Sequence, residues 1–234
     1  MQIIEVTETA VRAAELRLER RQSPLRFVLY PMLHVGSPDF YAEVNRRLHA
    51  VDVIVAEGVG DSRTVSRLTA GYRALADDAR RRLMVQHLDY GTTGAEVVCP
   101  DPSGPEFDAR WRTVPWWQRT LMHGVTGVAV AGQAALGERW LQLVLEHGTL
   151  DDLPTNEETL AMARIPDVER VVLDERDERL VAALADLHER RHHEHVTVAV
   201  VYGAGHVRAV VTQLNRRFGY RVRAGEWLTV MRRP

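Results

Sequence analysis

The chain has 234 residues, enough for one compact domain that buries roughly 70% of its unfolded surface. Hydrophobic residues make up 45% and charged residues 26%, which excludes a disordered chain, and a net charge of −2 gives no basis for nucleic-acid binding. A single cysteine, Cys99, excludes an internal disulfide and multi-cysteine metal cages. All 30 basic residues are arginine, which excludes lysine Schiff-base chemistry and a Walker-A phosphate loop.

The elements follow in chain order. The opening stretch has early acids and no apolar core of signal-peptide length, so a cytoplasmic location is expected. Thr7 is placed to cap a first helix running to about Arg21. Arg26–Tyr30 (RFVLY) predicts a short strand after Ser23-Pro24. Ser37 caps the next helix, with Pro38 at its first position and Asp39 in its first turn. Tyr41, Val44 and Leu48 form its apolar stripe. Val51–Glu57 (VDVIVAE) predicts a strand covered on both faces. Strand, helix and strand in about 32 residues read as a right-handed βαβ unit.

Arg63–Gln86 reads as a long arginine-rich helix, Glu96–Cys99 as a short strand and Asp101–Pro105 as a loop. Trp116–His147 is helical in character. Within it, Thr120–Gly137 carries no formal charge, but its modest hydropathy and length below about 20 residues argue for a buried helix over a membrane span. Dimerisation through this small-residue stretch is an open expectation. A further helix is expected from Pro154–Glu158, and a long amphipathic one over Val168–Arg191. Val196–Tyr202 (VTVAVVY) is the strongest strand signal. Gly203–Phe218 returns a helix, and Tyr220–Arg223 and Trp227–Met231 read as edge strands. The whole predicts a single α/β domain over 1–234. Its mainly parallel sheet is flanked by helices and interrupted by a helical insertion at about 63–190.

In parallel sheets ligands bind beyond the carboxyl ends of the strands. Three predicted strands end in chemistry-bearing residues: His34, Glu57 with Gly58, and Gly203-Ala204-Gly205-His206. Two imidazoles and a carboxylate at one edge suit a divalent metal, and equally an acid/base site without one. Gly203 and Gly205 allow a tight turn or close approach of a ligand. Tyr41, on the helix after His34, points either to that site or to the core. His188-Glu189-Arg190-Arg191-His192 spells HExxH. The two intervening arginines and the imminent end of the helix favour a solvated helix terminus over a zinc site. No GxSxG, phosphate-loop or GxGxxG pattern is present.

The segment LYPMLHVGSPDFYAEVNRRLHAVDVIVAEGVG (29–60) resembles the opening of TraB/GumN-type proteins, which include the TIKI metalloproteases. The shared features are a GxxH after the first strand, an aromatic-bearing helix and a strand ending in Glu-Gly. VVYGAGHVRAVVTQL (200–214) resembles the family's closing GxxH and helix, and Asp174-Glu175-Arg176-Asp177 its Arg-Asp element. The resemblance covers about residues 25–223. Pro31 departs from it, standing where the first motif has glycine.

The resemblance implies the fold of erythromycin esterases and ChaN-like haem-binding lipoproteins. It implies a metal-dependent hydrolase acting on a peptide or small ester substrate. His34, Glu57 and His206 would hold manganese, cobalt or zinc. Glu57, Arg176 and Asp177 would be catalytic, and Tyr41, Gly203 and Gly205 would contact substrate. The alternative it leaves is a non-catalytic peptide- or haem-binding regulator on the same scaffold.

Overall fold

The structure, a computed structural model, describes residues 2–69, 83–124 and 165–232. Nine strands and six α-helices lie wholly within these residues. The strands are β1 (Ile4–Val6), β2 (Ala10–Arg20), β3 (Ser23–Met32), β4 (Val35–Gly36), β5 (Val53–Ala56), β6 (Met84–Val85), β7 (Glu96–Val98), β8 (Thr197–Gly203) and β9 (Arg221–Arg232). The helices are α1 (Pro38–Leu48), α2 (Arg63–Leu68), α3 (Gly104–Thr113), α4 (Pro166–Glu169), α5 (Glu175–Arg191) and α6 (Ala204–Phe218). A π-helical turn, Arg170–Asp174, joins α4 to α5.

The molecule is α/β, with a mixed central sheet flanked by helices. Its parallel centre runs β3-β8-β5-β7, and antiparallel β2 continues it, pairing with β1, β3 and β9. β3 and β5 are parallel, as the βαβ reading requires, but they are not neighbours. β8 lies between them, pairing Val28 with Ala199 on one side and Ile54 with Ala199 on the other. The most apolar strand thus takes the most enclosed place, and Val198, Ala199 and Val201 have no exposed surface.

The first helix expected from Thr7 is a strand instead. β2 is rich in Ala, Glu, Leu and Arg, which favour helix locally. It is drawn into the sheet by pairing with β9 along its length and with β3 over its second half. Thr7 accepts from the Ala10 amide at 3.0 Å in the turn between β1 and β2. β2 carries Glu15, which is only 2% exposed and is held by Arg47 at 2.6 Å and Arg17 at 2.9 Å.

Ser37 caps α1 as expected, accepting from the Phe40 amide at 3.2 Å. The long helix expected over Arg63–Gln86 is not formed as such: α2 ends at Leu68, and Met84–Val85 is a strand pairing with β4. Residues 70–82 lie outside the described residues, as do most of Thr120–Gly137 and the helix expected from Pro154–Glu158. The expected insertion carries a strand of the main sheet, since β7 pairs with β5. The loop expected at Asp101–Pro105 leads directly into α3. Ser103 and Glu106 close a reciprocal capping box there, with Glu106 accepting from the Ser103 amide at 2.8 Å. Among the described residues no helix is long and apolar enough to cross a membrane.

Among the described residues there are two apolar cores. The larger surrounds the sheet. The smaller joins α3 to the α4–π segment through Phe107, Trp111, Val114, Ile165, Val168, Val171 and Leu173. Gly104 is the tightest point at its edge, because a Cβ there would collide with the Asp61 carbonyl and lie 2.8 Å from the Ser62 amide nitrogen. Backbone, not a flexible side chain, would have to move. Gly104→Ala is therefore expected to cost about 2–3 kcal/mol of stability, read as a drop in urea midpoint without a change in slope.

Candidate functional site

The parallel strands deliver their carboxyl ends to one edge. β5 ends at Ala56, β7 at Val98 and β8 at Gly203, so Glu57, Asp101 and His206 follow at that edge. A cavity of about 550 Å³ opens there. Its polar wall holds His34, Glu57, Arg176, Gly203, Gly205 and His206. Its apolar lining comes from Val65 and Leu68 of α2, Phe107 of α3, Met122, Ile165, and Val172 and Leu173 of the π turn.

Glu57 is the centre of the polar wall. Its Oε1 accepts from Arg176 Nη2 at 2.6 Å and its Oε2 from the Gly203 amide at 2.6 Å. The second bond places the carboxylate at the N-terminus of α6, where the helix dipole also favours negative charge. A Cβ on Gly203 would stand 3.2 Å from Glu57 Oε2, so glycine there preserves the approach. Burial pushes the Glu57 carboxyl up, but the charges of Arg176, His206 and His34 and the Arg176 hydrogen bond outweigh it, bringing it down to about 2.

Arg176 is spent on two carboxylates. Its Nε and Nη2 donate to the two oxygens of Asp101 at 2.9 and 2.7 Å, while Nη2 also reaches Glu57. Asp101 is fully buried and accepts from the Gly58 amide as well, at 2.9 Å. One guanidinium thus fixes β5's end to the loop after β7. The π turn immediately before α5 sets the register. The widened turn puts Val172 and Leu173 on the cavity wall, while the α5 turn that follows aims Arg176 at Glu57 and Asp177 at His206.

His206 is 3% exposed. Its Nδ1–H donates to Asp177 Oδ1 at 2.6 Å, so the neutral form of the ring carries its acceptor on Nε2. Nε2 lies 3.9 Å from Glu57 Oε1, and the ring packs edge-on against Tyr202, with centroids 5.4 Å apart.

His34 follows β3 and lines the same cavity, with its carbonyl accepting from the Gln86 amide at 2.8 Å. Pro31 does not break β3. It stays in register opposite Tyr202, and the strand runs on to Met32. Two expected site residues do not line the cavity. Asp177 stands behind His206. Tyr41 lies in the core at 2% exposure, where its hydroxyl donates to the Leu33 carbonyl at 2.7 Å and so braces the residue before His34.

The two imidazoles and Glu57 do not fit a divalent cation as they stand. Both Glu57 oxygens already accept hydrogen bonds, and one of the two partners is itself a cation. Among the described residues no three His, Cys, Asp or Glu side chains stand in metal-holding geometry. A haem fits no better, because its propionates need cationic partners and the lining's guanidinium is already shared by two carboxylates. The HExxH segment is a structural helix end. Both ring nitrogens of His188 are engaged, with Tyr220 Oη at 3.1 Å and Arg20 Nη1 at 3.3 Å.

Asp101, in the segment expected as a loop, and Gln86, His87 and Tyr90, which line the cavity, are functional-site residues beyond those expected. Asp101 was reachable, since it follows a strand signal and so falls under the same edge rule as Glu57. Residues 86–90 carry no local signal, because only the β4–β6 pairing brings them there. Tyr90 keeps its phenol proton: burial, then the neighbouring Cys99 and Glu57, push it up to about 12. No family model, curated protein or solved structure matches this chain.

Proposed function

We propose that the chain is a hydrolase of TraB/GumN type, with an erythromycin esterase/ChaN-like fold, that cleaves an ester or peptide bond without a metal. One observation carries the reading. Nε2 of an Asp-oriented histidine and an oxygen of an ionised carboxylate lie 3.9 Å apart at the floor of a cavity. A single water can stand about 2.8 Å from both and donate one proton to each. That leaves an oxygen lone pair free to face a bound carbonyl.

His206 takes the proton as the water oxygen bonds to the carbonyl carbon. The oxyanion falls to the first-turn amides of α6 around Gly205, which have no partner within the helix. The imidazolium then returns the proton to the leaving oxygen or nitrogen as the C–O or C–N bond breaks. Acid and alcohol, or acid and amine, are released. Asp177 holds the ring in the required tautomer, and Arg176 holds Glu57 ionised and in place.

Peptide and ester pools incubated with the protein test the reading. The wild type is expected to cleave members of a pool, and Glu57→Gln to reduce that cleavage about 10²-fold while the protein stays folded. Equal cleavage by both proteins rejects it. Turnover is also expected to survive exhaustive chelation within about twofold. Loss on chelation with recovery on adding manganese, cobalt or zinc would replace this mechanism with a metal-dependent one.

A further inference from the structure

The two walls of the cavity differ in kind, and the difference selects a substrate. Among the described residues the lining carries one guanidinium. That group, Arg176, is shared by Glu57 and Asp101, and Asp177 stands beside His206. With both ends of that guanidinium already taken by carboxylates, none is left to hold an anionic substrate group. The apolar wall is the surface of the smaller core, presented through Val65, Leu68, Phe107, Met122, Ile165 and Leu173. An apolar wall with a few convergent polar groups suits a ligand that is largely hydrocarbon.

From this we infer that the substrate is an uncharged ester or amide bearing a bulky apolar group. That group lies against α2, α3 and the π turn while the carbonyl sits on the His206–Glu57 floor. The inference rests on the hydrolase reading above and extends it to substrate class. Leu68 and Val65 are half-buried, so they can be made polar without opening either core.

The test uses 4-nitrophenyl acetate, butyrate and octanoate, with the half-ester of succinic acid as an anionic comparator. Rates are corrected by those of His206→Ala. Wild-type kcat/KM is expected to rise roughly fourfold per added methylene until the cavity is filled. The half-ester is expected to react at least about tenfold more slowly than butyrate. Leu68→Gln, and independently Val65→Asn, should flatten the series, lowering octanoate at least about tenfold more than acetate. A flat wild-type series, or a half-ester as fast as butyrate, overturns the inference while leaving the hydrolase reading intact. If wild type turns over no ester or amide, the hydrolase reading falls and binding decides the ligand class. Saturable fluorescence of the neutral dye N-phenyl-1-naphthylamine, weakened at least about fivefold by Leu68→Gln, upholds it. No saturable binding overturns it.

Discussion

Replacing His206 with alanine is expected to lower kcat at least 10³-fold, with KM changed by no more than about threefold. The imidazole is the group proposed to move the proton, and a positioned general base contributes about 10²–10⁴. Binding should survive because the apolar wall is untouched. Asp177→Asn is the informative companion. It keeps the volume beside Nδ1 but replaces a pure acceptor, 2.6 Å from the ring, with a group that can also donate. That permits the tautomer with the proton on Nε2, which cannot take one from water. A loss of about 10²-fold or more in kcat is expected. Steady-state kinetics on the best ester of the pool reads both. A His206→Ala protein with more than a tenth of wild-type kcat would remove His206 from the role of base.

The second large effect concerns stability and centres on Arg176. Its side chain is 10% exposed, and the carboxylates it joins are 13% and 0% exposed. Arg176→Met would leave two buried carboxylates without their counter-charge, and about 3–5 kcal/mol of stability should be lost. Combining it with Glu57→Gln should recover part of that loss, because one stranded charge is removed.

The same cluster sets the acid response. Glu57 lies near 2 in the folded chain against an ordinary value of 4.5. A depressed carboxylate stabilises the fold fully above its unfolded value, and that contribution is lost as pH falls from about 4.5 toward 2. The amount is on the order of 3 kcal/mol. His188 acts earlier in the descent. Burial, then the like charges of Arg20 and His192, lower it from 6.5 to about 4. The folded state therefore resists its protonation, and stability falls as pH drops from 6.5 to 4. Urea unfolding from pH 7 down to 3 should show a two-stage decline. Glu57→Gln should remove the lower stage only. An unchanged lower stage in that variant would show that other carboxylates govern it.

Several features were fixed by local chemistry and could be read without a structure. Ser37-Pro38-Asp39 starts α1 because each residue satisfies a requirement of a helix N-terminus within its own first turn. The apolar runs at β3, β5 and β8 are strands because they are too short and too continuously apolar for anything but a covered sheet. Parallel strands carry their following residues to a common edge, so Glu57 and the Gly203–His206 turn could be placed together from chain order alone.

What the tertiary structure decided depended on contacts between residues distant in sequence. β2 has a helix-favouring composition, and pairing with β3 and with β9, some 210 residues later, makes it a strand. β8 enters between β3 and β5, which local pattern cannot show, because strand order is settled by packing the most apolar strand at the centre. Asp101 became a site residue only when β7 paired with β5 and Arg176 reached across 75 positions to hold it. Tyr41 and His188 moved the other way, from candidate chemistry to structural bracing, because spacing along a helix gives a side chain's face and not what it meets there. The sequence by itself determined which residues could carry chemistry and which sheet edge would gather them. The folded structure decided which were already engaged, because a carboxylate or imidazole acts according to the partner that shares its buried space.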